Sequence, residues 1–244
     1  MQVSLFVPCL VEDFAPEIAE AAALALEAAG ALPMAPWGQT CCGQPLYKQG
    51  RFEQVRPVAR RFIRMFEDAD AVVSPSGSCV RMVREYPALL AHDRKWAPRA
   101  RALADKCFEL CEFLVRVADR VDLGASFAGR VAYHESCQLG RGLGVRDEPR
   151  QLLAAVRGLA LVELRRPQAC CGFGGAFHVD FPQVADAILA DKLDDIEAAG
   201  VATLVAAEPG CLLHIRRGLA GRESPVRTLH IAQILAGRAG GGAQ

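Results

Sequence analysis

The chain writes one arrangement of cysteines twice. Cys9, Cys41-Cys42-Gly43 and Cys79 are followed by Cys137, Cys170-Cys171-Gly172 and Cys211, at offsets of 128, 129 and 132 residues. Eight of the ten cysteines fall into this register. A repeat of that period is domain-sized, so it constrains the chain to two similar lobes rather than a solenoid of short units. The adjacent pairs add a chemical constraint. Neighbouring thiols close only a strained disulfide, so each Cys-Cys-Gly asks for another use of its sulfurs.

Secondary-structure signals repeat in the same register. "VSLFVPC" (3–9) and "RVAYHESC" (130–137) are short β-prone runs ending in cysteine. "EDFAPEIAEAAALALEAAG" (12–30) has a carboxylate start, helical spacing and Gly30 as a stop, and "RDEPRQLLAAVRG" (146–158) is its counterpart, stopped at Gly158. After each Cys-Cys-Gly a further helix is expected. One lies around 51–69, where Pro57 predicts a late start or a kink; the other is "FPQVADAILADKLDDIEAAG" (181–200). Then "DAVVSPSGSC" and "VATLVAAEPGC" each run an apolar strand into a Pro- and Gly-containing turn that carries a cysteine. Strand–helix alternation of this kind predicts an α/β fold: two pseudo-symmetric βα lobes with mostly parallel sheets, each carrying one Cys-Cys-Gly repeat. The expected division is 1–125, 126–236 and a flexible tail at 237–244, with the boundary at "SFAGRV" after a helix at about 99–121. Each lobe is expected to have its own apolar core.

The placement of the cysteines carries meaning. In open α/β sheets, ligands bind beyond the carboxyl ends of the strands. Cys9, Cys79, Cys137 and Cys211 all follow predicted strands, and the Cys-Cys-Gly loops precede helices, whose free amides favour an anion.

Composition narrows the remaining classes. The 28 basic and 28 acidic residues balance, which argues against nucleic acid or an anionic membrane as the main partner. The N-terminal stretch lacks the basic region of a secretory signal. The longest apolar-rich run, 18–36, is Ala-rich and broken by Glu20, Glu27 and Gly30, which suits an amphipathic helix better than a membrane span. The chain is therefore expected in the cytoplasm, where disulfides are not the default and buried thiols, redox thiols or metal ligands remain.

Four thiolates per lobe suit a soft metal. Two readings compete: a closed four-cysteine zinc site, and a 4Fe–4S cluster held by four thiolates. Zinc knuckles use cysteines spaced two apart to wrap one small ion. Adjacent cysteines reach different irons of a larger cluster more naturally, and Gly43 or Gly172 lets the backbone come close.

With these stretches assembled ("LFVPCLVE", "TCCGQP", "SPSGSCVRMVREYP", "YHESCQLGRGLG", "CCGFGGAFHV" and "EPGCLLHI"), the sequence resembles the cysteine-rich CCG proteins over residues 5–215. That family includes the B subunit of heterodisulfide reductase and the iron–sulfur subunit of glycolate oxidase, and the resemblance is strongest to its two-repeat lactate utilization branch. The resemblance implies electron transfer in a complex that oxidises L-lactate to pyruvate, alongside other lactate utilization subunits, one of them a ferredoxin-like iron–sulfur protein. The chain would then be a non-catalytic redox subunit. It implies that Cys9, Cys41, Cys42 and Cys79 hold one iron–sulfur cluster, and Cys137, Cys170, Cys171 and Cys211 a second, with zinc an alternative in one lobe. There is one departure. The heterodisulfide reductase branch ends each repeat in Cys-x-x-Cys, and here the first of that pair is Ser76 in one lobe and Glu208 in the other. The departure points away from that branch's unusual clusters and disulfide-cleaving chemistry and toward an ordinary four-cysteine cluster. The alternatives are a zinc-stabilised assembly protein with no redox role, or, as the resemblance also implies, the iron–sulfur subunit of a glycolate oxidase or heterodisulfide reductase-like complex.

Other residues have plainer readings. Cys107 and Cys111 share one face of an expected helix between the lobes and read as core. His134 and His178 lie near the cysteines but read as local hydrogen-bonding residues and stay outside the metal set. "GFGGAF" (172–177) lacks the Lys-Ser/Thr of a phosphate loop, so its glycines read as room for the cysteine loop. No constellation of hydrolase residues stands out.

Overall fold

A computed structural model describes residues 1–237. The expected tail, apart from Gly237, lies outside the described residues. Two four-stranded, all-parallel sheets carry the same topology. The first has the order β2-β1-β3-β4, from β1 (Gln2–Leu5), β2 (Leu32–Met34), β3 (Val72–Ser74) and β4 (Cys107–Glu109). The second has the order β6-β5-β7-β8, from β5 (Ser126–His134), β6 (Arg157–Val162), β7 (Thr203–Ala206) and β8 (Arg227–His230). In each sheet the chain leaves its first strand to one side and returns on the other. The crevice between first and third strands is the switch point at which such sheets bind ligands. Cys9 follows β1 and Cys79 follows β3; Cys137 follows β5 and Cys211 follows β7.

Several expected elements take a different form. The long helix after Cys9 is two helices, Cys9–Phe14 and Glu17–Ala28, because Pro16 has no amide to continue the first. Gly30, at φ +83, ends the second as expected. Gly158 does not stop a helix. The helix is Asp147–Ala154, and Gly158 lies inside β6 at φ +80, beside the irregular register of β5 between Ser126 and Gly129. Helix Phe52–Phe66 runs through Pro57 without a late start. The segment expected as a helix at about 99–121 is a helix (Ala97–Asp105), then β4, then short helical turns. Cys107 is therefore a strand residue. The strand partner β3 prevails over local helical spacing, since the i, i+4 apolar pattern of so short a run fits either element.

The lobes do not have wholly separate cores. One apolar cluster lies within the first lobe, around Phe6, Val55, Phe62, Phe66, Val80 and Tyr86. A second lies within the other, around Leu189, Leu193, Ile196, Leu204 and Ile215. A third joins them: Val3, Leu5, Ala22 and Leu26 of the first lobe pack with Val131, Tyr133, Leu152, Ile231 and Leu235 of the second, through Leu110, Phe113 and Leu114 of the connector. Each buried aliphatic side chain there contributes roughly 1.5–3 kcal/mol. The shared cluster thus fixes the lobes as one body.

Candidate metal centre

The shared core sets the carboxyl edges of the two sheets against each other. Helix Gly77–Arg84, which follows β3, packs on the helical turn Gln138–Leu143, which follows β5. Helix Cys9–Phe14 contacts helix Pro209–Gly221. Between them lies a cavity of about 330 Å³, and all eight cysteines of the doubled register line it.

Within that wall the sulfurs form two contiguous sets. Cys9, Cys41, Cys42 and Cys79 follow one another in side-chain contact, as do Cys137, Cys170, Cys171 and Cys211. The Cys171 thiol donates to the Cys211 sulfur at 3.0 Å. Burial is graded the same way in both: Cys42, Cys79, Cys171 and Cys211 are buried, while Cys9, Cys41, Cys137 and Cys170 sit at the rim, half-exposed. No described cysteine is in a disulfide.

Local backbone geometry explains the pairs. Gly43 and Gly172 adopt φ +85 and +90, a region that favours glycine. The bend turns the glycine amide back onto the first sulfur of each pair: Gly43 N–H donates to Cys41 Sγ, and Gly172 N–H to Cys170 Sγ, both at 3.4 Å. The second site is the tighter, since a Cβ on Gly172 would stand 2.4 Å from the Ala185 carbonyl oxygen, against 3.1 Å from a Val55 methyl at Gly43.

These contacts sort the thiols. Cys41 accepts from Cys42 and Cys9 and from the Gly43 amide, which brings its pKa down to about 3. Cys170 is likewise pushed down, by Cys137 first and then Cys171. The proton donors Cys9, Cys42, Cys137 and Cys171 are pushed up correspondingly. Cys211 is lowered to about 5, by the Cys171 thiol and then by the neighbouring His134 imidazole. Cys79 and Cys211 are the third residues of their helices. Each lobe therefore presents a preformed thiolate among thiols that a soft cation can displace of their protons.

Three features escaped sequence reading. Glu208, at the position matching Ser76, is buried and reaches across to the first lobe. Its carboxylate accepts from Ser76 Oγ at 3.1 Å, Ser78 Oγ at 3.0 Å and the Ser78 amide at 2.7 Å. It thereby caps helix Gly77–Arg84 from the other lobe; the signal was there in the offset of 132 that Ser76 and Glu208 share with Cys79 and Cys211. His134 ends β5 fully buried beside Cys171 and Cys211, where the three form a set able to hold one ion. His178 lines the cavity, with its ring stacked on Phe173 at 4.6 Å and its Nδ1 2.5 Å from the Gly175 carbonyl. Cys107 and Cys111 line no part of the cavity. Both are fully buried in apolar clusters, and burial pushes Cys107 up to about 12 and Cys111 up as well, so they stay protonated and inert.

Fold and site together define a two-repeat, cysteine-rich α/β protein whose thiols converge on one inter-lobe cavity. The cysteine-rich domain family named CCG matches residues 3–84 and again 131–216, and the chain belongs to that family. It is 42% identical over 238 residues to lactate utilization protein A of Bacillus subtilis (strain 168), covering 98% of this chain and 100% of the relative. The protein of that name from Geobacillus kaustophilus (strain HTA426) is 43% identical over 238 residues, with 98% and 100% covered. That of Exiguobacterium sp. (strain ATCC BAA-1283 / AT1b) is 42% identical over 235 residues, with 96% of each chain covered. Among the described residues, no helix is long and apolar enough to cross a membrane.

Proposed function

We propose that this protein is an iron–sulfur-binding electron-transfer subunit of a cytoplasmic system that oxidises L-lactate to pyruvate. Its partners in that system are further lactate utilization subunits, one of them ferredoxin-like. The observation that carries the reading is the pair of four-thiol sets, built alike and opening on one cavity. The near full-length similarity to proteins named for lactate utilization supports the substrate.

The donor set fits the group. Each lobe offers four cysteine sulfurs linked by side-chain contacts, the number of thiolates that ligate a 4Fe–4S cluster, and the Cys-Cys-Gly bend packs closely on the helix behind it, at Val55 and at Ala185. When bound, such a cluster supplies one-electron transfer. The residues around it supply the rest. The Gly43 and Gly172 amides favour negative charge on Cys41 and Cys170. The buried Cys42, Cys79, Cys171 and Cys211 face away from water, and the four rim cysteines give a partner's redox centre its nearest approach. Two such sets on one cavity make a relay between a catalytic partner and an acceptor.

The test is reconstitution with lactate-dependent dye reduction. The protein alone should be inactive, since the Gly-rich stretch at 172–177 lacks the pattern of a nucleotide loop. Activity should appear with the partner subunits and be abolished by Cys42→Ser or Cys171→Ser. Lactate turnover by the isolated protein, or full activity of both variants in the complex, would refute the relay.

A further inference from the structure

We propose that His134 is a nitrogen ligand to the metal centre of the second lobe, so that the lobes hold chemically different centres. The first is all-thiolate; the second mixes imidazole and thiolate. This rests on the reading that both lobes bind metal.

His134 is the last residue of β5, the strand that delivers Cys137, and it is 1% exposed. Neither ring nitrogen has a nitrogen or oxygen partner in the protein, and the neighbour the imidazole engages is the Cys211 sulfur. Buried polar groups are ordinarily satisfied by hydrogen bonds, and an imidazole whose neighbours are cysteine sulfurs is placed to turn a nitrogen onto the ion they hold. Its ligating nitrogen and the sulfurs of Cys171 and Cys211 all lie within 4.8 Å of one another, and all three residues are buried. Imidazole and thiolate together are a common donor set for zinc and iron. Cys170 lies outside this group of three but touches Cys171 through its side chain.

The first lobe has no equivalent. The residue three before Cys9, as His134 is three before Cys137, is Phe6. Its ring packs edge-on to Phe62 at 4.7 Å, in the same apolar cluster as Cys42 and Cys79. Among the described residues, the only group of three or more His, Cys, Asp or Glu donors close enough for one ion is His134 with Cys171 and Cys211. The repeats thus match in their cysteines and differ in the residue behind them.

The difference gives the relay a direction. A neutral imidazole in place of an anionic thiolate lowers the negative charge of a centre and raises its reduction potential, as histidine ligation does in Rieske centres. An electron on the first-lobe centre would therefore pass downhill to the second, oxidising the one and reducing the other.

The test is pulsed EPR on anaerobic full-length protein, loaded in separate samples with iron plus sulfide and with cobalt(II) alone. Wild type should show a strongly coupled nitrogen that changes on ¹⁵N-histidine labelling and vanishes in His134→Phe, with the second-lobe potential falling in that variant. His134→Gln serves if the phenylalanine does not fold, and the labelled wild type decides on its own whether histidine nitrogen is bound at all. Coupling that survives in both His134 variants but is lost in His178→Ala overturns the assignment, as does metal-loaded wild type without nitrogen coupling. Metal content unchanged by Cys171→Ser would overturn the metal-binding reading itself, and this assignment with it.

Discussion

Ser76 and Glu208 stand at the same position in the two repeats, and they meet: the Ser76 hydroxyl donates to a Glu208 carboxylate oxygen at 3.1 Å across the lobe interface. Glu208 begins helix Pro209–Gly221 yet spends its carboxylate on the start of the other lobe's helix, at Ser78. Ser76 and Glu208 thus link the two lobes at the edge of the cavity. Glu208→Ala leaves that helix start uncapped and the two serine hydroxyls without their acceptor. The expected cost is about 1–3 kcal/mol in chemical denaturation. A change within a few tenths would mean the link contributes nothing.

The same carboxyl gives a pH signature. Burial first, and the Cys211 sulfur next, raise its pKa from 4.5 to about 7. A carboxyl raised in the folded state binds its proton more tightly there than in the unfolded chain. Its stabilising effect is full below pH ~4.5 and is lost as pH rises through ~7. Metal-free wild type should therefore lose stability relative to Glu208→Gln between pH 5 and pH 7.5, by on the order of 2–3 kcal/mol. Parallel pH profiles for the two proteins would contradict this.

Thiol reactivity should follow the rim thiolates. In reduced, metal-free protein near pH 5.5, iodoacetamide should label Cys41 and Cys170 first, because neighbouring thiols and glycine amides hold them as thiolates. Peptide mapping by mass spectrometry reads the order. Faster labelling of Cys9 or Cys137, equally at the rim, would overturn that ordering.

The two glycines of the pairs should not be equally sensitive. Gly43→Ala meets a methyl at 3.1 Å that can shift, and should cost about 1–2 kcal/mol for the left-handed backbone. Gly172→Ala meets the Ala185 carbonyl at 2.4 Å and should cost clearly more, with loss of metal from the second lobe only. Denaturation midpoints and metal content separate the two; equal effects would mean the close approach is relaxed in solution. Cys107→Ala and Cys111→Ala, by contrast, should cost on the order of 1 kcal/mol and leave metal content intact.

Much of this was legible because cysteine position carries both fold and chemistry. Cys9, Cys79, Cys137 and Cys211 mark the ends of strands, so the register that revealed the repeat also placed the sulfurs at the sheet edges. What was not legible depends on contacts between distant residues. Val3 and Val131 read as core whichever lobe they face, so a core shared by both lobes left no periodic signal. Cys107 and Cys111 at helical spacing became a strand and a turn because β3 offered a partner. His134 read as an ordinary loop histidine because its burial beside Cys171 and Cys211 arises only when β7 pairs with β5.

The central claim is that the doubled cysteine sets hold iron–sulfur clusters, and elemental analysis of anaerobically purified protein tests it most directly. Iron and acid-labile sulfide should be present in equal amounts, with Cys171→Ser removing about half of both, as expected for one iron–sulfur cluster per lobe. Stoichiometric zinc with neither iron nor sulfide, in colourless protein, would contradict it and leave the cysteines a structural role.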